Sequence, residues 1–205
     1  MVDAVTAQNL LPPGLAGWGR LVAYEKGERI FTRNTEEETI ALVNDGLIYL
    51  CAENERYARS ILGIFCPGDL MDAAMLLPLS HGVCYFMTKY AARLTLFPRS
   101  AALEAAARNA QAAGQWSEKL AAMAQNWMWH GYILQQRGVR QRILAFFRRE
   151  AERQGSVELR LPLPQADLAE YLGVDRAAMA RELTRMKQEG LLYGARRNWT
   201  LLEQG

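Results

Sequence analysis

Residues 163–183, LPQADLAEYLGVDRAAMAREL, constrain the fold of this 205-residue chain more than any other stretch. They read as a short helix, a turn and a second helix. Leu168, Ala169 and Leu172 share one side of the first helix, and small Ala169 suits a close approach of two helices. Gly173 stands where the chain needs a left-handed residue. Asp175 is a good N-cap for the second helix. On that helix Met179, Leu183 and Met186 recur at i, i+4 and i+7 and mark its buried side. Arg176, Ala177, Ala180, Arg181 and Thr184 fall opposite. That is the arrangement of a helix-turn-helix whose second helix can lie in a DNA major groove. Arginine's planar fork suits guanine O6 and N7 there. Gln165, at the start of the first helix, joins these as a candidate DNA contact.

The flanks extend the motif. Glu189-Gly190-Leu191-Leu192 stops the second helix and begins a strand, and Trp199-Thr200-Leu201-Leu202 supplies another. Between them Gly194, Ala195, Arg196, Arg197 and Asn198 form a wing with a basic tip. Arg196 and Arg197 suit phosphate; a solvated turn is the plainer reading of the same pair. Upstream, Gly138 reads as a hinge. Arg140 to Arg153 reads as a helix with Ile143, Leu144, Phe146 and Phe147 on its apolar face, ended by Gly155. Val157 to Leu163 reads as a strand or extended arm, and Pro164 precedes the motif helix where a missing N–H costs little.

The chain before Pro98 reads differently. Turn signals recur about every ten residues, as at Lys26-Gly27-Glu28, Asn44-Asp45-Gly46 and Pro67-Gly68-Asp69. Between them lie strand-like runs: Arg29 to Thr32, Thr39 to Val43, Leu47 to Cys51, Ile61 to Phe65 and later Ala91 to Phe97. This spacing predicts a β-sandwich or barrel, with a short helix over Asp72 to Leu77. From Ala101 to Gln136 a helical pattern takes over, with Gly114 its weakest point. Two apolar stripes fit it. One is Trp116, Leu120, Met123, Trp127, His130 and Leu134. The other is Ala113, Ser117, Leu120, Ala124, Trp127, Gly131 and Leu134. A helix apolar on two faces buries both, one on its own domain and one on a second copy. The sequence leaves the assignment open, and a long core helix of a monomer is the alternative.

Composition excludes several classes. No apolar run approaches the ~20 residues of a membrane span. Met1 to Gln8 carries no basic and apolar signal pattern, so the expectation is a cytoplasmic protein. Cys51, Cys66 and Cys84 fit no zinc spacing and read as reduced thiols. The net charge of +2 is uneven: residues 138–205 hold 12 Lys+Arg against 9 Asp+Glu, and residues 1–137 hold 12 against 13. That asymmetry agrees with DNA binding without establishing it. Two histidines, 49 positions apart, make no cupin-type metal set, and no nucleophile–base pair or phosphate loop is present. The chain does not read as an enzyme.

Barrel, long helix and winged helix-turn-helix, in that order, resemble the cyclic-AMP receptor protein/FNR (Crp/Fnr) family of bacterial transcription regulators. The resemblance is carried by Val139-Arg140-Gln141-Arg142-Ile143-Leu144, by Gly173 through Arg181 to Glu189-Gly190-Leu191, by Tyr24 to Ile30, by Phe65-Cys66-Pro67-Gly68-Asp69-Leu70 and by Pro98-Arg99-Ser100. It implies an α+β fold: a cyclic-nucleotide-binding-like β-barrel of jelly-roll type over 1–106, a dimerisation helix over 107–137 and a winged helix-turn-helix over 138–205. It implies a homodimer on an inverted repeat, seamed at Trp116, Leu120, Met123, Trp127 and Leu134, with RNA polymerase as a further partner and a small-molecule effector.

The departures from the family matter. Where many members place a base-reading glutamate, this chain has Ala177, which can touch only a thymine methyl. Nucleotide-binding members neutralise the cyclic phosphate with an arginine. Here none occurs between Arg59 and Arg93, which argues against cyclic AMP. Met71, Asp72, Met75, Met123, Trp127 and His130 are the candidates for an effector pocket, with plain core as the ordinary use of such residues. Haem, through His81, Cys84 or His130 and so a CO or NO sensor, is one alternative. An effector-independent DNA-binding protein is another.

Overall fold

Eight strands of the N-terminal unit form two antiparallel four-stranded sheets. The computed structural model describes residues 15, 17–30, 39–53, 59–72 and 84–202. Within these the strands are β1 (Arg20–Tyr24), β2 (Arg29–Ile30), β3 (Thr39–Asp45), β4 (Ile48–Glu53), β5 (Arg59–Phe65), β6 (Leu70–Asp72), β7 (Cys84–Thr88) and β8 (Ala92–Pro98). One sheet runs β1-β8-β3-β6 and the other β2-β7-β4-β5. They face each other across a core of Ile30, Ala41, Val43, Ile48, Leu50, Phe65, Met71, Phe86, Leu94 and Leu96. Among the described residues the edge strands of the two sheets do not pair, so the expected barrel is an open jelly-roll sandwich. β3 shows why the pattern works. Ala41 and Val43 enter the core between the sheets, whereas Ile40 and Leu42 enter a second cluster with Leu70, Phe97, Ala101, Ala102, Ala105 and Trp116. A strand covered on both faces reads as a continuous apolar run. The helix expected from Asp72 to Leu77 lies outside the described residues beyond Asp72, which ends β6.

The long helical region breaks at Asn109, not at Gly114. α1 spans Arg99–Arg108 and α2 spans Ala110–Gln135. Asn109 leaves helical geometry, with φ −139° and ψ 110°. Its Oδ1 accepts from the backbone N–H of Gln111 at 2.9 Å and of Ala112 at 3.3 Å. Asparagine offers the backbone an alternative partner and so starts a helix well, whereas a glycine within a helix only weakens it. Gly114 stays helical.

The chain divides into two compact units, Met1–Ala124 and Gln125–Gly205, and the division falls within α2. The second unit continues with α3 (Val139–Gln154), β9 (Glu158–Arg160), α4 (Gln165–Leu172), α5 (Arg176–Gln188), β10 (Leu192–Ala195) and β11 (Asn198–Leu201). Its sheet has the order β10-β11-β9. The core forms where Ile143, Leu144, Phe146 and Phe147 of α3 meet Leu168, Ala169 and Leu172 of α4 and Met179, Leu183 and Met186 of α5, all buried. Phe147 meets Trp199 of β11 edge-on at 5.4 Å and ties helices to sheet. Among the described residues no helix is long and apolar enough to cross a membrane.

Candidate DNA-recognition surface

The turn between α4 and α5 is built by two local residues. Gly173 is left-handed, at φ 61° and ψ 42°. Asp175 caps α5 by accepting from the Ala178 N–H at 2.8 Å. With the cap set and Met179, Leu183 and Met186 buried, the helix phase is fixed. Arg176, Ala177, Ala180, Arg181 and Thr184 are then all exposed on one face. Gln165, at the start of α4, is half-buried.

The side chains on that face differ in freedom. Arg176 forms an ion pair with Glu170 of α4, whose side chain is largely buried. The Thr184 hydroxyl donates to the Ala180 carbonyl at 3.0 Å. Arg181 has no side-chain partner among the described residues. Ala177 and Ala180 leave a shallow methyl surface between Arg176 and Arg181.

The wing is a tight β10–β11 hairpin. Arg196 at its tip adopts φ 55°, and Gly194 adopts φ 142°. A Cβ at Gly194 would stand 2.3 Å from the Asn198 carbonyl oxygen, so no larger residue fits the hairpin as it stands. Trp199 Nε1 donates to the Arg196 carbonyl at 3.0 Å, and Lys187 of α5 donates to that of Gly194. Arg197 is less available than its position at a basic tip suggests. Its Nε donates to the Leu161 carbonyl at 2.8 Å, and its own carbonyl accepts from the Leu161 N–H at 2.8 Å. The exposed phosphate candidate is Arg196.

Sequence reasoning missed the residues that hold this face in place. Arg140 pairs with Glu182, and its two Nη groups reach both carboxylate oxygens of Glu189 at 2.7 and 2.9 Å. This holds the Glu189 carboxyl below its ordinary range and pushes the guanidinium of Arg140 up. Arg142 donates to the carbonyls of Leu172 and Gly173 at 2.9 and 3.0 Å. A signal was available. Both arginines sit in the first turn of α3, which has no acidic residue, and a cation at a helix N-terminus opposes the macrodipole. Such a placement points to a partner elsewhere.

The effector candidates fall into two groups. In the first unit, Met71 is fully buried in the core between the sheets and Met123 packs against that core. Asp72 is ion-paired with Arg99, and Lys119 donates to the Gly68 carbonyl at 2.6 Å, so β6 is pinned at both ends. Cys84 packs against the same core, and burial pushes its thiol up, away from the thiolate that ligates iron. In the second unit, Trp127 is exposed and His130 is buried with Nε2 2.8 Å from the Tyr171 carbonyl. Met75 and His81 lie outside the described residues. Among the described residues no cluster of His, Cys, Asp or Glu is arranged to hold a metal.

The candidate seam residues also part. Trp116 is spent inside its own unit, edge-on to Phe97 at 5.9 Å, and Met123 is partly buried there. Trp116 therefore has little surface left for a partner, and Met123 only part of its own. Ser117, Leu120, Ala124, Trp127 and Gly131 are exposed, and Leu134 is half-buried.

Fold and face together define a winged helix-turn-helix domain preceded by a double-sheet domain and a long helix. Residues 141–204 match the Crp-like helix-turn-helix domain family. Three solved structures extend the likeness to the whole chain. FixK2 from Bradyrhizobium japonicum is 20% identical with a TM-score of 0.70, covering 90% of this chain and 93% of that one. A CooA mutant from Carboxydothermus hydrogenoformans is 18% identical with a TM-score of 0.77, covering 93% and 86%. The c-di-GMP responsive global regulator CLP from Xanthomonas campestris is 17% identical with a TM-score of 0.65, covering 98% and 100%. No curated protein sequence matches the chain. The C-terminal domain thus matches the Crp-like helix-turn-helix family, and the chain has a Crp/Fnr-like fold.

Proposed function

We propose that the protein is a cytoplasmic, dimeric transcription regulator of Crp/Fnr type that reads an inverted repeat in DNA. It has no enzymatic activity in this reading. An effector other than cyclic AMP, sensed in the N-terminal unit, controls it. The observation that carries the reading is the split of α5: Met179, Leu183 and Met186 buried, and Arg176, Ala177, Ala180, Arg181 and Thr184 exposed together. Arg181 is the base reader, a guanidinium one turn into the helix with no side-chain partner among the described residues. Ala177 and Ala180 accept thymine methyls. Arg196 on the wing binds phosphate.

The seam is the stripe Ser117, Leu120, Ala124, Trp127, Gly131 and Leu134, spaced 3, 4, 3, 4, 3 as a coiled coil requires. Its exposure, with Trp116 and His130 turned elsewhere, supports this stripe over the other. An effector other than cyclic AMP is supported by the lack of any arginine between Arg59 and Arg93. A buried cyclic phosphate needs a cation. CLP, with the same fold, responds to c-di-GMP, so the fold is compatible with more than one ligand.

Binding-site selection with wild type and Arg181→Ala tests the reading. Wild type should yield an inverted repeat with half-sites about one helical turn, ~34 Å, apart. Arg181→Ala should cost ~1–3 kcal/mol and relax one base pair per half-site. Identical sequence preferences from the two proteins would remove Arg181 from the base-reading role. Failure of wild type to select any sequence would remove the function.

A further inference from the structure

The turn of the helix-turn-helix is gripped by residues that precede Gly138. His130 of α2 is 7% exposed, and its Nε2 stands 2.8 Å from the Tyr171 carbonyl oxygen. A carbonyl only accepts, so Nε2 carries the proton. The imidazole lies flat on the Tyr171 ring, with centroids 4.0 Å apart and 9° between planes. Phe146 of α3 also meets Tyr171, edge-on at 5.8 Å. Arg142 completes the grip. Its Nε donates to the Gln136 carbonyl at 3.2 Å, while Nη1 reaches Leu172 and Gly173. One guanidinium therefore satisfies the open carbonyls at the end of α4 and holds the residue just after α2. A cation at a helix C-terminus is favourable, which explains why Arg142 turns away from the start of its own helix. A second strut lies higher on α2. Arg149 donates to the Asn126 side chain at 3.2 Å and sits over the Trp129 ring at 5.5 Å.

Gly138, with φ 86°, interrupts the helices and looks like a swivel. These contacts span it. His130, Gln136 and Leu134 lie before it, and Arg142, Phe146, Tyr171, Leu172 and Gly173 after it; a Cβ built at Gly173 would meet Leu134 Cδ2 at 3.4 Å. The compact second unit accordingly begins at Gln125 rather than at Gly138.

We propose that residues 126–136 form one rigid body with the helix-turn-helix, with His130 and Arg142 as positioning residues for DNA recognition. The consequence rests on the dimeric reading of the function. Trp127, Gly131 and Leu134 sit on the same stretch of helix as His130. The clamp therefore converts the geometry of the seam into the distance between two recognition helices. Neither residue touches DNA; both set where Arg181 arrives.

Two measurements on the full chain test the proposal. The first is native-state hydrogen exchange in the absence of DNA. Amides of 130–136 and of 171–173 should open together in wild type. In His130→Ala and in Arg142→Gln they should open separately. Independent opening in wild type overturns the clamp whatever the protein binds. The second is DNA selection from a library with half-site spacings varied by one and two base pairs. Wild type should select one spacing. His130→Ala and Arg142→Gln should lose discrimination between adjacent spacings by roughly tenfold, the net worth of about one hydrogen bond, with affinity for an isolated half-site unchanged. His130→Gln, which keeps a donor toward Tyr171, should restore part of the preference. A merely structural role would instead lower affinity for every spacing alike, and unchanged spacing preference in both variants overturns the proposal. Should Arg142→Gln fail to fold, Arg142→Lys keeps the charge but loses the planar fork whose Nε holds Gln136 while Nη1 holds Leu172 and Gly173, and the same spacing readout applies. A wild type without any spacing preference would overturn the dimeric reading and leave the clamp to the exchange experiment.

Discussion

Truncating Leu120 should loosen the dimer by a calculable amount. Leu120 is 53% exposed on the isolated chain, and no described residue covers that half. Complete burial of a leucine stabilises by ~1.5–3 kcal/mol, so covering the exposed half contributes about 1 kcal/mol per copy. A two-fold seam counts it twice. Leu120→Ala should therefore cost ~2 kcal/mol per dimer, or roughly a thirtyfold rise in the dimer dissociation constant. Sedimentation equilibrium across a concentration series reads this directly. Tyr193→Ala is the control. Tyr193 is 72% exposed on the wing hairpin, where it pairs with Thr200, and its removal should leave the constant unchanged. A wild type that stays monomeric at micromolar concentration would refute the seam. So would equal effects from Leu120→Ala and Tyr193→Ala, which would mean that general surface apolarity and not this stripe holds two copies together.

Two further perturbations separate causes that the sequence confounds. Gly173→Ala and Gly194→Ala both place a side chain at positive φ, but only the first has room: the nearest atoms lie at 3.4 Å, against 2.3 Å to backbone at Gly194. Gly173→Ala should cost ~1–2 kcal/mol of conformational strain, whereas Gly194→Ala adds ~1–3 kcal/mol of overlap with backbone that cannot turn aside. Urea denaturation that ranks them equally would contradict this. In the first unit Tyr85 donates to Glu53 at 2.6 Å, and burial, reinforced by that bond, pushes its phenol up to about 12. The folded chain then holds a proton that the unfolded chain releases near pH ~10, so stability should fall as the pH rises from ~10 toward ~12. Tyr85→Phe should flatten that part of the urea-midpoint profile, and a wild-type profile of the same slope as the variant's would contradict the assignment.

What could be read in advance was whatever a few neighbouring residues decide. Gly173 and Asp175 act within four positions of themselves, and the helix phase that they set is the one observed. β3 was legible for the same reason, as a run apolar on both sides. Competition between local signals was harder to judge. Asn109 and Gly114 both weaken a helix, and only Asn109 supplies a replacement hydrogen bond, so the break falls there. Long-range partners were not legible. Arg140 meets Glu182 and Glu189 at separations of 42 and 49 residues, and His130 meets Tyr171 at 41. Nor could the pattern alone choose a stripe on the long helix. Trp116 and Met123 fit the seam spacing as well as Ser117 and Ala124 do, and only the packing of Trp116 on Phe97 removes it.

The same limit governs the charge of the DNA-binding unit. Residues 138–205 carry 12 basic side chains, a number that suggests a broad cationic surface. Most of that charge is committed within the chain. Arg140 is bound by Glu182 and Glu189, Arg142 by three carbonyls, Arg153 by Glu150, Arg176 by Glu170, Arg185 by Glu182, Lys187 by Gly194 and Arg197 by Leu161. Arg160, Arg181 and Arg196 are exposed cations without such a side-chain partner among the described residues. Arg181 is on the recognition helix and Arg196 at the wing tip, the two places where a duplex seated on α5 would meet the protein. Arg160 stands on β9 opposite Asn198, beside the tip of the same wing. Arg176 is the intermediate case. Its side chain is 62% exposed, but a phosphate must compete with Glu170 for it. Affinity in this protein thus depends less on net charge than on which arginines the fold leaves uncommitted. The uncommitted cations of the unit lie on the proposed recognition helix and around the wing tip.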